Sequence, residues 1–284
     1  MKTALLVLAL GMAPAAGVAA PDADAAQLIQ QINALRRAAA ACPQGARAPV
    51  PALTPQPLLG RVRLQAGTIL IAALDSAGYD AEVADAVQVA GPADVDAALA
   101  ALREHYCATL TSTRYRDIGA HRNGNEWTVV LARAAPDPAS VLPALDDAGQ
   151  QVLAASNAAR AQGQRCGEQW MAPAPPLSWQ AGLAAAALAH SRDMALKGYF
   201  SHQGRDGSDA GERALAAGYR WRAIGENIAH GQLSAEEVVA GWLSSPGHCS
   251  NLMNPRFSEM GAAYAVRSGK RPAAYWTQVL AAPR

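Results

Sequence analysis

Residues 143–282 predict helices followed by a closing pair of strands. A helix is expected from about Pro143 to Arg165, ending around Gly167, and a second from Ala181 to Lys197, stopped by Gly198. Gly211 to Ala217 predicts a short third. Ser234-Ala235-Glu236-Glu237 reads as a capping box, in which Ser234 accepts from an amide and Glu237 reaches back, opening a helix through Val238, Val239 and Trp242 that Pro246 ends. Gly261 to Val266 and Ala274 to Leu280 flank the turn-rich Arg267-Ser268-Gly269-Lys270-Arg271-Pro272, which predicts an antiparallel hairpin. Helices with a small antiparallel sheet give an α+β class, in a layered αβα form.

The same order of signals occurs earlier in the chain. Asn33-Ala34-Leu35-Arg36, with Cys42 six residues on, recurs as Asn157-Ala158-Ala159-Arg160 with Cys166, a shift of 124. Gly78-Tyr79 and Gly91 recur as Gly218-Tyr219 and Gly231 at 140. Cys107, Tyr115 and Gly119 recur as Cys249, Phe257 and Gly261 at 142, and Trp127-Thr128 as Trp276-Thr277 at 149. Ordered matches with slowly growing offsets are what two copies differing by insertions produce. The jump from 124 to 140 puts the main insertion around Tyr199 to Glu212. Two domains are expected, at 26–134 and 143–284, joined by a proline-containing linker at 135–142.

Composition narrows the setting. With 51% apolar and 17% charged residues over 284 positions, disorder is excluded. Net charge is +1, which gives no overall electrostatic reason for nucleic acid or an anionic membrane as main partner. Met1 to Ala20 places Lys2 before an apolar run that ends in small residues, the layout of a signal peptide, with Ala25 as a later alternative cleavage point. No apolar run of about twenty residues follows, so no transmembrane segment is expected, and the mature protein is expected to be secreted or periplasmic. In that compartment the four cysteines read as disulfides. Of the three pairings, Cys42–Cys107 with Cys166–Cys249 lets each half close its own bridge, each contributing about 4 kcal/mol on the chain-entropy model.

Candidate chemistry gathers in the second half. Tyr199-Phe200-Ser201-His202, Gly225-Glu226-Asn227-Ile228 and Ser245-Pro246-Gly247-His248 set titratable groups beside glycine or turn residues, where they can face a cleft. Ser245 can cap a helix with Pro246 at its first position, which leaves His248 in the first turn, where the positive helix end favours neutral imidazole. His190 shares helical spacing with Leu183, Ala187 and Met194 and reads as packing; His230 reads as a solvated loop residue. Ser201 lacks an orienting acid and does not read as a nucleophile.

These segments, with Trp242, Asn254-Pro255-Arg256-Phe257 and Tyr275-Trp276-Thr277-Gln278-Val279, resemble the CAP superfamily of cysteine-rich secretory proteins, antigen 5 and plant pathogenesis-related proteins, in its bacterial extracellular branch. The resemblance runs from about Pro143 to Ala281. It implies an αβα sandwich whose cleft gathers His202, Glu226 and His248, with Tyr275 alongside. Two positions depart from the eukaryotic pattern: Tyr275 stands where a histidine is usual, and Ser245 where a second glutamate is usual. His248 can compensate in space. The first half keeps the outline without the polar groups: Glu226 corresponds to Ala86 and His248 to Tyr106, so it reads as a degenerate CAP-like copy.

Three functions follow. The first is a binding module for a lipid-like or peptide ligand in the cleft, with no catalytic residue. The second is a metal-dependent hydrolase, in which His202, His248 and Glu226 hold a divalent ion such as zinc with a position left for water. The third is a non-catalytic interaction protein of the cell envelope. The plain alternative for each histidine is a hydrogen-bonded structural role.

Overall fold

Pro136 and Pro138 follow a division of the chain into two compact units, one ending at Ala135 and the other beginning at Pro136. The computed structural model describes residues 23–38, 40–43, 45–65, 67–269 and 271–284; the expected signal peptide lies outside them. Among the described residues no helix is long and apolar enough to cross a membrane.

The first unit opens with α1 (Ala23–Arg37), which buries Ala25, Leu28 and Ile32. A hairpin of β1 (Ala40–Cys42) and β2 (Gly45–Arg47), the short β3 (Thr54–Pro55) and one 3-10 turn at Leu59–Arg61 lead to α2 (Leu70–Ala77). Then come β4 (Ala81–Ala90), α3 (Val95–Leu110), β5 (Asp117–Asn123) and β6 (Glu126–Ala134). The sheet order is β3-β5-β6-β4. Alternation decides the layers. Val87, Trp127, Val129 and Leu131 face α1 and α3, while Ala84, Ala86, Val130 and Ala132 face Leu59, Val62 and Leu74.

The second unit has α4 (Pro138–Val141), α5 (Leu145–Gln162), a hairpin of β7 (Gln164–Cys166) and β8 (Gln169–Met171), β9 (Ser178–Trp179), α6 (Ala181–Lys197) and α7 (Ala210–Ala216). It continues with β10 (Trp221–His230), α8 (Ala235–Ser244), α9 (Pro246–Leu252), β11 (Glu259–Arg267) and β12 (Ala273–Pro283), in the sheet order β9-β11-β12-β10. One sheet face buries Met260, Trp276 and Leu280 against α5 and α8; the other buries Ala263, Val279 and Ala281 against Leu183, Ala186 and Ala187 of α6. Helices and small sheets thus make an α+β fold.

Both units are fastened by the same devices. Cys42–Cys107 ties β1 to α3, and Cys166–Cys249 ties β7 to α9, with Cα atoms 5.7 and 5.3 Å apart. Asn33 exchanges two hydrogen bonds with the backbone of Leu53, as Asn157 does with Leu177. One turn on, the buried Arg160 donates to the carbonyls of Pro175, Leu252, Asn254 and Phe257, and Arg36 to those of Pro51, Leu110 and Ser112. A buried guanidinium is tolerable only with such partners.

Several local expectations change. Helix α5 stops at Gln162, because the chain must turn to place Cys166 in the β7–β8 hairpin. The capping box at Ser234 is half formed: Ser234 accepts from the amide of Glu237, but Glu237 takes the amide of Leu233 instead. A complete box sits at Asp209 and Glu212. Close glycine contacts recur in both units. Gly261 packs so closely on Leu183 and Ala184 that a Cβ there would overlap their backbone, and Gly119 meets Leu59 and Gly60 in the same way. The 3-10 turn thus packs on Gly119 as the start of α6 packs on Gly261.

Candidate functional site

Glu226 lies on β10, an edge strand of its sheet, opposite Val279 of β12. Glycine, alanine and asparagine in Trp221–His230 hide the strand from a reading of polar alternation. The Glu226 side chain is 4% exposed and both its oxygens are engaged. His202 Nδ1–H donates to Oε1 at 2.8 Å, and Arg213 of α7 donates to Oε2 at 2.6 Å. Arg213 also donates to the carbonyls of His202 and Ser208, so one guanidinium holds the carboxylate and the loop that carries His202.

His190 approaches from α6. It is buried, its Nε2–H donates to the Ser201 carbonyl at 2.9 Å, and the same nitrogen lies 3.9 Å from Glu226 Oε1. Burial pushes its imidazole below the ordinary range, opposed by Glu226 and assisted by Arg213. The expected packing role is thus incomplete: His190 also fixes the backbone beside His202. No feature of its alanine-rich helix marks this in the sequence. Arg213 was equally hidden, as one cation on a short helix.

His248 stands in the first turn of α9, with Pro246 at the first position; Ser245 precedes it but makes no side-chain cap. Its ring centroid is 6.5 Å from that of His202. Burial, then the neighbouring His202, lowers its pKa. Its place is set from both sides. Cys249 is bonded to Cys166, and Asn227 Nδ2–H donates to the His248 carbonyl at 3.2 Å. Asn227 in turn donates to Gln278 Oε1, Gln278 to Ser156 Oγ, and Asn251 to the Glu226 carbonyl, forming a buried polar network behind the site.

His202, Glu226 and His248 therefore come together, while Tyr275 stands apart. It pairs with His230 in the β10–β12 register, four residues along the strand from Val279, about 13 Å at strand spacing. It is buried, with its ring centroid 4.6 Å from that of His230, which is exposed as expected but stands at the end of β10 and not in a loop. Among the described residues no group of three or more His, Cys, Asp or Glu side chains is arranged to hold an ion. Arg213 pairs with the Glu226 oxygen that does not face His202. Ser201 Oγ accepts from the Gln203 amide and is not aimed at a ring nitrogen.

Residues 153–280 match the family model described as CAP, the cysteine-rich secretory protein family. The second unit carries a CAP domain. Over 103 residues it is 40% identical to the protein YkwD of Bacillus subtilis (strain 168), spanning 36% of this chain and 38% of that relative. The chain thus spans well under half the length of that curated relative. An extracellular protein with an SCP domain from Bacillus anthracis (strain Ames) is similar at 20% identity and TM-score 0.40, over 58% of this chain and 59% of the other. A cysteine-rich secretory protein from Staphylococcus aureus (subsp. aureus Mu50) is similar at 13% identity and TM-score 0.38, over 57% of each chain.

Proposed function

We propose that the protein is secreted or periplasmic and that its CAP domain is a non-catalytic binding module, taking a lipid-like or peptide ligand at the face formed by His202, Glu226 and His248. One observation carries this reading: Glu226 is engaged at both oxygens by Arg213 and His202 and serves to hold a ring. With the Glu226 oxygen accepting from Nδ1, His202 turns Nε2 outward on a side chain that is 58% exposed. A ligand meets that nitrogen and the His248 ring. The reading includes removal of the leader near Ala20, since a cut after Ala25 would take the first turn of α1, with the buried Ala25 and the Asp24 carboxylate that pairs with Arg122 at 2.6 Å. It also takes the first unit as a diverged CAP-like copy with an interaction role, since Ala86 and Tyr106 stand where the site has Glu226 and His248.

The test is mass spectrometry of solvent extracts and of native protein purified from culture supernatant or periplasm. A lipid or peptide adduct on the wild type that is lost in the His202→Ala, His248→Ala double variant is expected. An adduct retained unchanged by that variant, or its absence from the wild type, would remove the reading.

A further inference from the structure

Leu196 and Phe200 are 86% and 53% exposed, four residues apart across the left-handed cap of α6 at Gly198. Solvation of two large apolar side chains so close together is unfavourable unless something covers them. The residues beside Phe200 are tied down. The Tyr199 amide donates to the Met194 carbonyl and its hydroxyl to Asp193 at 2.5 Å, while the Phe200 ring lies edge-on to His230, which leans on Tyr275.

Cations lie on the neighbouring residues. Arg205 lies over the Tyr199 ring at 4.7 Å, and Arg267 over Tyr275 at 5.8 Å, with an Nη1 3.7 Å from where a Cβ of Gly198 would be. Lys197 follows Leu196 and pairs with Asp193, and Arg267 donates to the carbonyl of the exposed Arg271. Against Lys197, Arg205, Arg267 and Arg271 stand the carboxylates of Asp193 and Asp206, so positive charge predominates locally although the chain as a whole is nearly neutral.

We propose that this end of the CAP domain, made of the last turn of α6, residues 198–201, and Arg267 and Arg271 on either side of the β11–β12 connection, docks on an anionic lipid surface. Leu196 and Phe200 enter the interface, and Arg205, Arg267 and Arg271 meet the lipid phosphates. Two protruding apolar side chains with long cationic ones in the neighbouring segments suit insertion among head groups. They are too small a patch for a stable protein interface, which needs about 800 Å² on each partner. The proposal does not depend on what the cleft binds.

The test is co-sedimentation of the full signal-free chain with phosphatidylglycerol–phosphatidylcholine vesicles and with phosphatidylcholine vesicles alone. Binding to the first, weakening with salt and absent from the second, is expected. Leu196→Asp with Phe200→Asp should weaken it at least about tenfold. Arg267→Gln with Arg271→Gln should weaken it by roughly ten- to thirtyfold, about fivefold per cation. Circular dichroism of each variant should match the wild type, since the altered side chains lie at the surface. Equal binding to both vesicles overturns the proposal. So does binding retained by the Leu196, Phe200 variant, which would make the patch a polyanion site instead of a membrane surface.

Discussion

The two units use one strand order and one set of fasteners, yet treat the same buried positions differently. Where the CAP domain places Ser156, Asn227 and Gln278, the first unit has Ile32, Val87 and Val129 packed in its core. Val87 pairs with Val129 in the same register in which Asn227 pairs with Gln278. The first unit therefore shows that this sheet and these helices close over an apolar centre. The polar network is not needed to make the fold; in the CAP domain it holds the backbone of Glu226 and His248. A second exchange is local. A Cβ on Gly225 would come within 2.9 Å of the Phe257 ring, whereas the first unit has Asp85 there and Tyr115 in place of the phenylalanine, with the hydroxyl donating to the carboxylate.

The fasteners should show the largest effects. Arg160→Met removes the donor to four backbone carbonyls, three of them at the end of α9 and the loop after it, and is expected to cost several kcal/mol, since each buried carbonyl left without a donor costs about 1–3 kcal/mol. Arg36→Met removes donors to three and should cost less. Hydrogen exchange resolved by unit, with chemical denaturation, checks both. A neutral Arg160→Met would mean that water replaces the guanidinium and that the shared fastener is not structural.

Next in size is the network itself. Asn227→Val alone leaves the carbonyl of His248 and the Gln278 amide oxygen without their donor and is expected to cost about 1–3 kcal/mol. Adding Gln278→Val and Ser156→Ile, the residues of the first unit, should restore part of that loss, because the orphaned Gln278 amide is removed with its partners while the His248 carbonyl and Asn251 stay unpaired. The restored protein should still lose cleft binding, since His248 has lost its tether. If the triple variant is no more stable than the single one, the apolar and polar centres are not interchangeable between units.

This pairing of polar and apolar centres also marks how far the sequence could be read. The motifs around His202, Glu226 and His248 were legible because glycine, proline and serine set them off from the helices. The fasteners were legible as Asn33, Arg36 and the cysteines repeating at fixed shifts, although their carbonyl partners were not. His190 stayed hidden because one histidine at helical spacing among alanines has the pattern of core. Arg213 stayed hidden because its reach to Glu226 depends on how α7 packs against β10. The position of Tyr275 depends on a strand register that residue type does not encode.

The smallest expected difference between the units is in their response to acid. The imidazoles of His190 and His248 are both lowered, chiefly by burial. Each therefore binds a proton less readily in the folded chain than in the unfolded one, whose histidines titrate near about 6.5. It follows that their contribution to stability is complete above about pH 6.5 and is lost as pH falls below it through the folded values. Both residues belong to the CAP domain, so its exchange protection should fall between neutral pH and about pH 5 more than that of the first unit. His190→Gln keeps an N–H for the Ser201 carbonyl and does not titrate, and should flatten the slope at some cost in stability at neutral pH. A CAP domain that gains protection on acidification, or a slope unchanged in His190→Gln, would show that the buried imidazole is not what makes the site acid-sensitive.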